Sequence, residues 1–101
     1  MYTLHIHHHA NFFSFNFIDV DGTSLIRIFK SISTIAFEDS VPLFAGYIGG
    51  KVFVCHGIWI SGAYDVLVSD ISLKNGKPYF LAKEGNEIYA VWGDDRSCVD
   101  S

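Results

Sequence analysis

Three glycine-bearing dipeptides, Asp21-Gly22, Gly49-Gly50 and Asn75-Gly76, each separate two apolar, β-rich runs, and this pattern leaves the chain few ways to fold. Such dipeptides supply the positive φ angles of two-residue hairpin turns. Their glycines are 28 and 26 residues apart. The runs before them are 12–20, 41–48 and 66–74, and the runs after them are 24–30, 51–56 and 77–83. A third apolar segment completes every unit, at 33–37, 58–63 and 87–92. The count from glycine to final aromatic is 15 residues to Phe37, 14 to Tyr64 and 16 to Trp92. The expectation is a mainly β chain built from three antiparallel meander units. In the third unit Tyr79, Leu81 and Lys83 share one strand face while Phe80 and Ala82 share the other.

The stretch Ile71-Ser-Leu-Lys-Asn-Gly-Lys-Pro-Tyr-Phe-Leu-Ala, followed by Ile88-Tyr-Ala-Val-Trp-Gly-Asp, resembles a blade of a β-propeller-type repeat. The resemblance implies architecture and transfers no functional residue. Three blade-like units are fewer than the four or more that close a ring, so it implies a partial propeller or a curved sheet. An α+β alternative puts a single helix at 24–36, where Leu25, Ile28, Phe29, Ile32, Ile35 and Ala36 fall on one helical face and Ser24 could cap the start. Against it stand the isoleucine content of that segment and its place in the repeat. The phenylalanine-rich stretch 12–17 carries no charge or proline to blunt an edge, so it is expected under another strand or at an interface.

With 101 residues the chain fits one small β-rich domain, 1–101, and cannot form a TIM barrel. Acids outnumber bases 11 to 7, without polarity along the chain: residues 1–50 hold 4 acids and 2 bases, residues 51–101 hold 7 and 5. Phosphate affinity comes from clustered Lys and Arg, so no direct nucleic-acid ligand is expected. Charged residues are 18% of the chain, low enough that some apolar surface stays exposed for a partner or an oligomer. No membrane span and no secretion signal are read, which points to the cytosol. Cys55 and Cys98 are then small, reduced hydrophobes.

The sharpest chemical signal is Leu4-His5-Ile6-His7-His8-His9. On a strand, His5, His7 and His9 would project from one face, as a zinc site of three protein ligands requires. This His-x-His element resembles that of metal-dependent hydrolases and cupins. It is weighed against a solvated chain end, and no catalytic residue, metal or cofactor is assigned. Cys55 and His56 are adjacent, so on a strand they face apart and cannot pair as nucleophile and base. Gly46-Tyr-Ile-Gly-Gly lacks the Lys-Ser/Thr of a phosphate loop, and no Gly-x-Ser-x-Gly occurs.

Acids follow large aromatics at the unit ends: Glu38 and Asp39 after Phe37, Asp65 after Tyr64, Asp94 and Asp95 after Trp92. Equivalent unit ends would form one rim, and aromatic rings beside carboxylates suit a basic partner. Trp59, Tyr64, Asp65, Asp70, Trp92, Asp94 and Asp95 are the candidate partner-binding residues. The expected function is a small acidic protein-binding protein, most concretely an immunity protein or antitoxin that covers the active site of a basic nuclease-type toxin. One alternative is a small zinc hydrolase or cupin-like protein using the histidines. Another is an assembly subunit of a phage or secretion machine.

Overall fold

The computed structural model describes residues 3–18, 24–33, 35–38 and 41–99, so the predicted Asp21-Gly22 hairpin turn lies outside the described residues. Among the described residues thirteen strands form three antiparallel sheets, and there is no helix. Sheet 1 is a meander of β1 (Thr3–His8), β2 (Phe13–Ile18) and β3 (Ser24–Phe29). The helical alternative over 24–36 is therefore not adopted. β3 pairs with β2 along its whole length, and β-branched side chains favour that extended backbone.

Sheet 2 has β4 (Ser31–Ile32) and β5 (Ala36–Glu38) side by side on one flank of β6 (Val41–Ile48), then β7 (Lys51–His56) and β8 (Trp59–Ile60). Sheet 3 repeats the plan: β9 (Val66–Leu67) and β10 (Ser72–Lys74) flank β11 (Lys77–Glu84), followed by β12 (Glu87–Trp92) and β13 (Asp95–Val99). Of segment 33–37, expected to close the first meander, Ala36 and Phe37 thus belong to the second sheet, and 66–74 is two strands rather than one. The turns follow the residues that permit them. Gly49-Gly50 and Asn75-Gly76 have positive φ at both positions, as type I′ hairpins require.

Each interrupted strand breaks directly after a serine. Ala45 N donates to Ser33 Oγ at 2.8 Å, Val54 N to Ser61 Oγ at 2.9 Å and Leu81 N to Ser69 Oγ at 2.7 Å. The hydroxyl replaces a ladder carbonyl, so the facing amide stays satisfied while the strand bulges. Pairing resumes three residues later in all three cases, at Ala36 with Leu43, Tyr64 with Val52 and Ser72 with Tyr79.

The serines expose a repeat longer than the spacing between glycine dipeptides. Ser33 and Ser69, Pro42 and Pro78, Phe44 and Phe80, Gly49 and Gly85, Gly57 and Gly93, and Ser61 and Ser97 are all 36 positions apart. The hydrogen bonds repeat with the residues: Gly57 N donates to Pro42 O and Gly93 N to Pro78 O, both at 2.9 Å. The hairpin at Gly49-Gly50 therefore corresponds to the one at Gly85-Asn86.

The sheets stack face to face, with sheet 2 in the middle. Leu43, Ala45, Val52 and Val54 point from it into a core shared with Phe80, Ala82 and Val91 of sheet 3. Phe44 and Cys55 point the other way, onto Phe15 and Phe29 of sheet 1. Burial on both faces explains why Val41–Ile48 reads as a continuous apolar run instead of an alternation. The phenylalanine-rich stretch is no edge: β2 is the central strand of sheet 1, and Phe15 is wholly buried. The result is a slab of 42 × 34 × 20 Å, blade-like in its parts and not closed into a barrel.

Candidate functional site

Stacking two sheets of one plan brings their equivalent turns together. The Gly57-Ile58 turn of sheet 2 leads into Trp59, and the Gly93-Asp94 turn of sheet 3 leads into Asp95, with both glycines near φ +60° (59° and 58°). Across the junction Trp59 Nε1 donates to Asp94 Oδ1 at 2.8 Å. Arg27 of sheet 1 donates to Ile58 O at 2.7 Å, so the turn leading into Trp59 is also tied to sheet 1.

Around this bond lies a cleft of about 490 Å³, lined by His56, Trp59, Gly76, Lys77, Pro78, Gly93, Asp94 and Asp95. A recess of about 110 Å³ continues past Trp59 toward Ser61, Tyr64 and Arg96. The nearby cations are engaged elsewhere. Lys77 Nζ sits 5.0 Å from the Trp92 ring centre, and the Arg96 guanidinium 4.2 Å from that of Tyr89. Arg96 also hydrogen-bonds Tyr64, which pushes its pKa upward, and lies 3.8 Å from Glu84. Among the described residues the exposed Asp95 carboxylate has no ion-pair partner. The cleft thus offers a fixed indole, one carboxylate bound to it and a second carboxylate free to receive a cation.

Asp65, Tyr64 and Asp70 lie elsewhere, so the acids do not form one rim. Asp65 is tied to Lys51 and accepts from Gly85 N at 2.7 Å, which places it by the β11–β12 turn, at the other end of β12 from Asp94. Lys51 and the Gly85 amide hold its carboxyl below the ordinary carboxylate range. Tyr64 cannot meet a partner: the Ser61 bulge shifts its register, so it pairs with Val52 and is only 4% exposed in the core. Trp92 donates Nε1 to Lys74 O at 2.7 Å, on the outer face of sheet 3. Asp70 borders a separate cavity of about 520 Å³ between the bulges at Ser33 and Ser69. Of the seven residues, Trp59, Asp94 and Asp95 converge on the cleft, and Trp92 adjoins it as the cross-strand partner of Asp95.

The histidines divide. His5 and His7 share a face of β1, opposite Asn16 and Ser14. His8 stacks on Phe13 with ring centres 4.4 Å apart, and His9, beyond the strand, stacks on Phe12 at 4.2 Å. Among the described residues no three His, Cys, Asp or Glu side chains converge as a metal site requires. Cys55 is fully buried, which pushes its thiol up to about 12, far from a reactive thiolate. No described helix is long and apolar enough to cross a membrane.

His56, Lys77 and Pro78 line the cleft, and the sequence reading did not select them. The 36-residue offset was the available signal, since it aligns His56 with Trp92 and Pro42 with Pro78. Compared with known proteins, the chain matches no family model, no curated protein and no solved structure.

Proposed function

We propose that the chain is a protein-binding module that receives a cationic side chain of a basic partner in the Trp59–Asp94–Asp95 cleft. The observation that carries this reading is the pairing of Trp59 with Asp94 beside the unpaired Asp95. A partner Arg or Lys would lay its stem on the indole and its charge against Asp95, gaining ring contact and a charge-assisted hydrogen bond together. The chain's surplus of acids, 11 against 7 bases, favours the same class of partner through steering.

In its most concrete form the module is a cytosolic immunity protein or antitoxin that seats on a basic nuclease-type toxin and covers its active site. Cys55 and Cys98 are not joined in a disulfide, which fits a reducing compartment. The test is native mass spectrometry of the untagged chain from its own host, followed by association kinetics of Asp95→Lys with the recovered partner. A one-to-one complex with a basic chain, whose association slows markedly at low salt in Asp95→Lys and little at high salt, is the expected result. Recovery with an acidic partner, or an association rate indifferent to Asp95→Lys at both salts, overturns the reading.

A further inference from the structure

The cavity between the serine bulges at Ser33 and Ser69 shares no lining residue with the Trp59–Asp94–Asp95 cleft. It encloses about 520 Å³, within the range of pockets that hold small organic ligands. Its floor is part of the core. Leu43 and Ala45, which point from sheet 2 toward sheet 3, are 6% and 1% exposed, and half-buried Leu67 and Ile71 pack against the same core from the other side.

The hydroxyls on the walls are engaged by the fold itself. Ser33 Oγ accepts from Ala45 N, and Ser69 Oγ accepts from Leu81 N while donating to Asp70 O. The depth of the cavity is therefore chiefly hydrocarbon. Asp70 is the one charged residue on the lining; it is exposed, and among the described residues its carboxylate has no ion-pair partner. Exposed Tyr47 and Ala36 complete the mouth.

Polarity thus runs from hydrocarbon at depth to negative charge at the opening, and that order decides the occupant. A lysine or arginine side chain carries its charge at the tip. Entering tip first from a partner, it would take an ion onto Leu43 and Ala45, where nothing offsets the lost hydration. A free amine enters the other way round, with its body buried on the floor and its ammonium left in water beside Asp70.

We infer that this cavity binds a small organic ammonium ion, a primary amine on an aliphatic or aromatic body. The site is separate from the Trp59–Asp94 bond, and the inference does not depend on the partner proposed for the cleft.

The test is a titration of the isotope-labelled chain, followed by amide resonances near neutral pH, with phenethylamine, cyclohexylmethylamine and hexylamine. Each is compared with the alcohol of the same skeleton. Saturable shifts are expected at the amides of Ala36, Ala45, Ser69 and Ile71, with a dissociation constant of about 1 mM or below for at least one amine. Its alcohol is expected to bind about fivefold more weakly, the scale of a charge contact at an exposed carboxylate. In Asp70→Asn that preference should vanish while the alcohol binds as before. Ala36→Phe, which narrows the mouth from an exposed position, should weaken amine and alcohol alike. No saturable shift at these amides with any amine up to about 10 mM overturns the inference. Equal affinity of amine and alcohol overturns it too, as does an amine preference that survives Asp70→Asn. Shifts centred on the Trp59 indole instead would assign the amine to the cleft and reject the cavity as its site.

Discussion

The ring of Phe29 lies directly on the backbone of Gly46: a Cβ built on Gly46 would stand 2.5 Å from two ring atoms. The counterpart of Gly46 in the next sheet is Ala82, fully buried with its methyl accommodated. At Gly46 the Phe29 ring thus occupies the space that the side chain's own methyl fills at Ala82. Gly46→Ala is expected to lower the unfolding free energy by about 1–3 kcal/mol, the usual cost of overpacking a filled core. Urea denaturation measures it, and unchanged stability would mean that the Phe29 ring can step aside.

The serine hydroxyls make a second prediction. Ser61 is buried, and its Oγ accepts from Val54 N while donating to Gly62 O. Ser61→Ala leaves the Val54 amide without its acceptor, at a cost of about 1–3 kcal/mol. Amide exchange at Val54 should accelerate more than at its neighbours. Uniform acceleration across β7 would instead show that the bulge as a whole had given way.

The two indoles give a local readout of the cleft. Trp59 donates to the Asp94 carboxylate and Trp92 to the Lys74 carbonyl. In Asp94→Ala one of the two indole N–H resonances should move toward its solvated position while the other stays in place. If neither moves, the bond between the sheets does not persist in solution.

Acid and base limits follow from Lys51 and Asp65. Asp65 sits below its ordinary carboxylate value, chiefly through its hydrogen bond to Lys51, and Lys51 is raised chiefly by the same bond. The Asp65 contribution is present above the unfolded carboxyl pKa, about 4, and is lost as pH falls through the lower folded value. The Lys51 contribution is complete below about 10.4 and is lost as pH rises through its raised folded value. Asp65→Asn should flatten both limbs of the stability–pH curve and leave its middle the flattest part. A variant that keeps both limbs would place their origin in other groups.

Much of the architecture could be read from the chain because hairpin turns are local. Gly49-Gly50 and Asn75-Gly76 adopt the positive φ angles their residues permit, and the runs beside them pair as strands. The bulges could not be read in that way, because a serine substitutes for a ladder carbonyl only once a facing strand has set its register. That shift removed Tyr64 from the surface and split 66–74 into β9 and β10. The cleft was half legible. Trp59, Asp94 and Asp95 could be chosen as an aromatic and two acids, but Trp59 meets Asp94 only because two sheets of one plan are stacked, a relation 35 residues long in sequence. Asp65 was misplaced for the same reason, since its partners Lys51 and Gly85 come from two different sheets.

The serine-broken strands β4–β5 and β9–β10 bear on how the polypeptide emerges during synthesis. Each strand pairs with the next in the chain or the next but one, even where a bulge divides it. A ribosome delivering the sequence from its amino end would release sheet 1 first, then every strand of sheet 2, and last those of sheet 3. Each new layer would find the apolar surface it needs already laid down by the one before it. The stack can be built in translation order, one finished layer serving as the floor for the next.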